Sequence, residues 1–294
     1  MFDTEEEAIR QLKKDKNTIL EGYVSEFLFE NQFLIPSKNN YSSGWWISCS
    51  EQNYCSFFFG DDVRPSVESR IAEALSNAMD VWFVRFTEKK FEFRNHNETS
   101  YISLEDFIKR KGLVPKNKII TATLDQRNET RQTACIDFFK KNGLLYSIAE
   151  QRHFADDLLS VYYDSLVNVD FFTIKNETIN LIEIKYKYST RNGCFGFDKG
   201  LGKTFDWLAD TCKIRLFHYI LLKPLRDEDL TIIDYIGRTD IERFWIYTEL
   251  HNISFAGEKK APKKTSVDGR KEQLYYQIAA KEFKIADSLR MPYR

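Results

Sequence analysis

Net charge, histidine, paired cysteines and long apolar runs are all scarce in this 294-residue sequence. Each scarcity closes off a class of function. Lysine and arginine number 43 against 44 aspartates and glutamates, a formal charge of −1. No whole-molecule field therefore draws the chain to nucleic acid, and any basic surface must be local. The four histidines stand near no cysteine pair, and the five cysteines (Cys49, Cys55, Cys135, Cys194, Cys212) show no CxxC spacing. Both facts argue against a zinc site. No run approaches the ~18 apolar residues of a membrane span, and the opening MFDTEEEAIR is acidic, without an apolar signal segment. The expectation is a cytoplasmic protein with free thiols and no membrane partner. The three Asn-Glu-Thr sequons, at Asn97, Asn128 and Asn176, then carry no glycan. Internal repeats and low-complexity tracts are also missing.

What is present is a core-forming composition. Apolar residues make up 43% and aromatics 15%, which excludes a disordered chain and suits one large domain or two modest ones. Residues 4–30 read as helical with a break at Gly22, and YSSGWWISCSEQNYCSFFF reads as strands. RPSVESRIAEALSNAM reads as a helix starting at Pro65 and Ser66. VWFVRF and FEFRN around TEKK form a hairpin. SLEDFIKRKG is a helix capped by Ser103 and stopped at Gly112, and Pro115 opens a lysine-bearing linker. A second block follows: ETRQTACIDFFKKNG as a helix closed by Gly143, LLYSIAEQ as a strand, and two strands turning at Asn176 and Glu177. KTFDWLADTCK is then a helix and IRLFHYILL a strand, an αβββαβ order with a polar, partly helical insertion at 152–166. A lysine-rich loop and a helix at about 272–289 close the chain. The expected domains are 1–115 (an N-terminal α/β region), 120–250 (the core) and 251–294 (basic loop and C-terminal helix).

The chemistry sits in INLIEIKYKY, residues 179–188. Alternate side chains of a strand share a face about 7 Å apart, so Glu183, Lys185 and Lys187 point the same way out of an otherwise apolar run. Asp170, inside VNVDFF, is a second acid in an apolar stretch, and a short hairpin would bring it to Glu183. Two adjacent carboxylates repel unless a cation lies between them. Mg²⁺ suits that place, since it takes oxygen ligands and keeps several waters. Such an ion lowers the pKa of water and neutralises charge growing on phosphate, and Lys185 can orient the water or stabilise the transition state. Three other E-x-K triplets, beginning at Glu88, Glu258 and Glu282, fall in a turn, a polar loop and a helix. Only Glu183-Ile184-Lys185 lies in a buried strand.

Asp170 followed by Glu183-Ile184-Lys185 within an αβββαβ block resembles the PD-(D/E)XK nuclease superfamily, which includes restriction endonucleases and Holliday junction resolvases. The resemblance covers residues 127–222, with Val169 where the family name has proline. It implies a restriction-endonuclease-like α/β core, a mixed central sheet flanked by helices, beside the N-terminal α/β region. It implies Mg²⁺ dependence, with Mn²⁺ able to substitute, Asp170 and Glu183 as ligands and Lys185 as the catalytic lysine. RNETRQTACIDFFKKNGLLYSIAEQ resembles the resolvase-like first helix and strand. Glu129 is then the additional acid and ligand, with Glu150 as its rival. DNA is the implied partner, in restriction, defence or mobile-element processing. The N-terminal region is left for a protein subunit or for homodimer formation.

Competing readings stay open. Asp170, Glu183 and Lys185 could form a cross-strand ion pair on a half-exposed face. A non-catalytic nucleic-acid-binding scaffold, or a nuclease acting on RNA, would use the same fold. Lys187, Arg191, Lys259, Lys260, Lys263 and Lys264 are candidate phosphate contacts, with solvated surface charge as the alternative. His153 and His218 read as ordinary core or surface residues, and Trp45 and Trp46 as aromatic core rather than base-stacking platforms. GLGKT at 200–204 lacks the spacing of a phosphate loop.

Overall fold

The computed structural model describes residues 2–35, 41–50, 53–60, 63–116, 129–190, 192–223, 231–238, 240–252, 255–260 and 274–286. In chain order the elements are α1 (Glu5–Leu12), α2 (Asn17–Phe29), β1 (Tyr41–Ser42), β2 (Trp45–Ser50), β3 (Asn53–Phe59), α3 (Glu68–Ser76), β4 (Asp80–Thr87), β5 (Lys90–Asn95) and β6 (Ile102–Ser103). Then come α4 (Leu104–Lys111), α5 (Glu129–Lys141), α6 (Leu145–Arg152), α7 (Ser160–Tyr162), β7 (Ser165–Val169), β8 (Phe171–Lys175), β9 (Thr178–Lys187) and β10 (Cys194–Asp198). The last are α8 (Lys199–Cys212), β11 (Arg215–Leu222), β12 (Trp245–Glu249), β13 (Gly257–Lys260), β14 (Leu274–Ala279) and β15 (Lys284–Ile285). The protein is mixed α/β, with parallel and antiparallel pairs in its sheets.

Two compact units form, each from three stretches of chain. The first gathers Met1–Asp15, Asn39–Ile119 and Ile136–Phe172; the second gathers Lys16–Lys38, Ile120–Cys135 and Thr173–Arg294. The expected cuts near residues 115 and 250 run in chain order, whereas these units alternate along the chain.

The first unit is built on the sheet β6-β5-β4-β3-β2-β7. Only the β3–β4 pair is parallel, and α3 makes the crossover that a parallel pair needs. The β4–β5 hairpin turns at Glu88 and Lys89, both at positive φ (50° and 62°), as a two-residue turn matched to strand twist requires. Ser103 Oγ accepts the Asp106 N–H at 3.1 Å and Gly112 closes α4 at φ 61°, as the sequence suggested. Phe57, Trp82, Phe93, Phe107 and Phe154 fill the core, with Phe93 stacked on Phe107 at 4.2 Å. Each such buried ring contributes roughly 1.5–3 kcal/mol. Trp46 is buried with them, and Trp45 is buried on the other face of β2 against Phe58 and Phe172.

Two readings change in this unit. LLYSIAEQ is not a strand: Leu145, Ile148, Ala149 and Arg152 are buried at helical spacing while Tyr146 is exposed, so the segment is α6. A short apolar run fits either period until its partner face is known. α6 continues through a π-helical turn (His153–Leu159) into α7, which accounts for the helical part of the expected insertion. The α3 helix begins at Glu68 rather than at Pro65, after a turn in which Arg64 pairs with buried Glu68 at 2.5 Å.

The second unit carries the strands β8-β9-β11-β12-β15 in one sheet and β10-β14-β13 in another. Asn176 (φ 46°) and Glu177 (φ 67°) form the two-residue turn between β8 and β9, as expected. Thr173 and Asn180 face each other across that hairpin, with Asn180 Nδ2 donating to Thr173 Oγ1 at 3.2 Å. β11 lies parallel to β9, and α8 falls between them in the chain. α2 packs on β9. Its break from α1 comes at residues 13–16, and Gly22 sits inside α2, where its cost of about 1 kcal/mol is absorbed by packing.

The helix expected at 272–289 is instead strands β14 and β15 over the described residues 274–286. Tyr276 stacks on Phe255 at 4.3 Å and Ile278 is buried, so tertiary partners override local preference. Residues 257–260, read as loop, form edge strand β13. The αβββαβ order is changed accordingly: α6 replaces its first strand, and β10 enters between β9 and α8. Cys55, Cys135, Cys194 and Cys212 are free thiols. Among the described residues no helix is long and apolar enough to cross a membrane.

Candidate functional site

β9 is an interior strand, and its buried residues run from Ile179 through Ile184. Glu183 is 1% exposed within that run, yet it is a carboxylate. Its Oε1 pairs with Lys185 Nζ, two residues on and on the same face, and the lysine side chain is 39% exposed. A buried acid is therefore joined to a cation that solvent or substrate can reach. Parallel pairing sets His218 of β11 beside Glu183, Ile220 beside Lys185 and Leu222 beside Lys187.

His218 is fully buried, and its Nδ1 lies 3.3 Å from the Glu183 carbonyl oxygen. That contact assigns the proton to Nδ1, which donates. Among the described residues Nε2 has no hydrogen-bond partner. Burial, followed by the charges of Lys187 and Lys185, holds the imidazole well below its ordinary pKa, so the ring is neutral. Phe197 and Phe283 enclose it at 4.9 and 6.1 Å.

Lys187 draws its ammonium inward to the Gly196 carbonyl oxygen, at 2.6 Å. Burial, and then Lys185, lower its pKa to about 8, against the opposing pull of Glu183 and Asp198. Asp198 caps α8, accepting the Leu201 N–H at 2.9 Å. Tyr275 of β14 is raised by burial and by Asp198, and lowered by Lys185. The polar groups of this face thus come from β9, β10, β11 and β14.

The other candidates fall as follows. Asp170 is buried directly before β8 and accepts a hydrogen bond from Asn168 Nδ2 at 3.4 Å. Glu129 opens α5 and is exposed, and Glu150 is half-buried on α6. Lys259 and Lys260 are exposed on β13. Arg191, Lys263 and Lys264 lie outside the described residues. His153 pairs with Asp157 at 2.8 Å on the surface of the first unit. The GLGKT stretch is helical: a Cβ at Gly202 would come 3.1 Å from the Tyr276 ring, so this glycine serves close packing and not a phosphate loop.

Sequence reading took His218 for an ordinary core or surface histidine and passed over Asp198 and Tyr275. The signal for His218 was the one that flagged Glu183, a polar residue inside an apolar strand. Glu21 was passed over too. It is buried on α2 and pairs with Arg131 at 2.6 Å. Its charge helps to raise the Tyr186 pKa, after burial and Tyr235. Tyr186 lies on the opposite face of β9 from Glu183, by strand alternation.

Among the described residues no group of three or more His, Cys, Asp or Glu is gathered to hold a metal ion. A hard cation needs less than that from protein, one or two carboxylates with water and substrate oxygens completing its shell. The buried Glu183 carboxylate has the right donor chemistry. No family model matches the chain, and searches of curated proteins and of solved structures return no match.

Proposed function

We propose that this chain is a Mg²⁺-dependent endonuclease that hydrolyses phosphodiester bonds in DNA. The observation that carries the reading is the Glu183 carboxylate, buried in the middle of an interior parallel strand pair and joined to a half-exposed lysine. Burying that acid costs several kcal/mol that an apolar residue would not, so a structural role alone explains it poorly. Strands β8, β9 and β11, with α8 in the crossover, are in keeping with a restriction-endonuclease-like core. A two-residue turn fixes hairpin register by count, and here it matches Thr173 with Asn180.

In this reading Asp170 and Glu183 would hold the ion, with Glu129 as the additional acid on the strength of the resemblance. The bound ion supplies an acidified water and charge neutralisation at phosphate. Lys185, steered by Glu183, orients the attacking water and stabilises charge on the phosphoryl oxygens. His218 fixes the Glu183 backbone through its Nδ1–H. Lys259 and Lys260 on exposed β13, with Lys263 and Lys264 further on, would contact backbone phosphates. Restriction, defence or mobile-element processing follows as fold analogy.

The test is incubation with plasmid, linear and single-stranded DNA and with RNA, in Mg²⁺, Mn²⁺ or EDTA. Metal-dependent DNA cleavage is expected, lost in Asp170→Ala with melting temperature kept. Lys185→Ala should slow cleavage by ~10²-fold or more while binding holds. Binding without cleavage in any metal points to a scaffold, and cleavage of RNA alone points to the other substrate. Unchanged cleavage by Asp170→Ala overturns the site.

A further inference from the structure

We propose that Lys187 is a second catalytic lysine of this site, the group that gives its proton to the leaving alkoxide. The proposal rests on the phosphodiesterase reading above. Lys187 lies two residues beyond Lys185 on the same face of β9. Its ammonium has three donors. Among the described residues it makes one side-chain hydrogen bond, to the Gly196 carbonyl, and no ion pair. An inward-drawn ammonium with so few acceptors is costly unless a ligand supplies them. A phosphodiester supplies oxygens of that kind.

The two lysines differ in what holds the proton. Lys185 is paired with Glu183, which stabilises its charge and suits it to orient water and phosphate. Lys187 faces Glu183 and Lys185 on its own strand, Asp198 at the end of β10, the neutral His218 on β11 and, close by, Tyr275 on β14. Burial and the Lys185 charge outweigh the acids, which brings Lys187 to about 8. A general acid works best when its pKa lies near the working pH. In the step, the oxygen of water attacks phosphorus and the ester P–O bond breaks, its electron pair leaving with the ester oxygen. That oxygen takes a proton from Lys187 Nζ and becomes an alcohol. The attacking water loses its proton to solvent, and solvent reprotonates the amine.

Lys187→Met keeps the side-chain stem and removes the proton. Its cleavage should be compared on an ordinary oligonucleotide and on one with sulfur in place of the leaving bridging oxygen, since a thiolate leaves without protonation. The expected result is a loss of ~10²-fold or more on the oxygen substrate and less than about tenfold on the sulfur substrate. Lys185→Ala should slow both. Equal losses of Lys187→Met on the two substrates overturn the proposal while leaving the nuclease reading intact. A wild-type protein that cuts neither substrate overturns both. NMR of the Lys187 side chain in metal-free protein gives a readout without turnover: its titration should fall well below that of an ordinary lysine. A midpoint in the ordinary range near 10.5 also overturns it.

Discussion

Two polar clusters, one in each unit and each partly buried, treat charge in different ways. In the first unit, Arg152 is held by two carboxylates. Its guanidinium donates to Asp15 at 2.9 and 2.7 Å and to both oxygens of Asp156 at 2.7 Å. In the second, among the described residues, the Lys187 ammonium has one carbonyl and His218 Nε2 has none. The paired network holds α6 and its π turn to the chain before α2. The other keeps donors and acceptors that the described residues do not use. Burial alone does not separate a structural charge from a functional one.

Breaking the paired cluster should give the largest stability effect. Arg152→Ala removes the guanidinium that Asp15 and Asp156 share, and about 3–5 kcal/mol of stability should go. Urea unfolding measures it, and a loss under 1 kcal/mol would show that the network is not what holds the segment. The Lys187→Met variant is the matched control, since removing a poorly satisfied charge should cost little or stabilise.

Protonation sharpens the contrast. His218 is neutral when folded, with its pKa below the ordinary 6.5. The unfolded chain therefore takes up a proton that the folded chain refuses as pH falls through 6.5. Stability present above 6.5 should decline below it, by up to about 1.4 kcal/mol per pH unit. Asp156 is pushed up to about 7 by burial, with Asp15 adding to the rise and Arg152 opposing it. Its folded state binds the proton more tightly, so this contribution is fully present below about 3.8 and is lost as pH rises towards 7. Melting curves from pH 4 to 8 should lose the acid-side decline in His218→Phe and the neutral-side decline in Asp156→Asn. Unchanged curves in both variants would refute the assignments.

The smallest effect concerns the exposed strand. Replacing Lys259 and Lys260 with alanine should flatten the salt dependence of DNA binding by up to ~0.9 per lost phosphate contact. Identical slopes would leave β13 as solvated surface.

Some of this was legible in residue order alone. Two-residue turns need positive φ, and TEKK and KNET declared theirs. Ser103 and Gly112 declared a helix, and Glu183 and Lys185 stood out because charge in an apolar strand is costly anywhere. These are local facts, fixed by bonded geometry and by the side chain's own chemistry. What residue order left undecided depended on partners distant in the chain. LLYSIAEQ became a helix, and YYQIAA a strand, because short apolar runs take the period of the surface they cover. Only the parallel pairing of β11 with β9 put His218 beside Glu183. Only the fold left Lys187 with a single acceptor among the described residues, since how many partners a charge finds is set by the elements packed around it and by nothing in its own sequence neighbourhood.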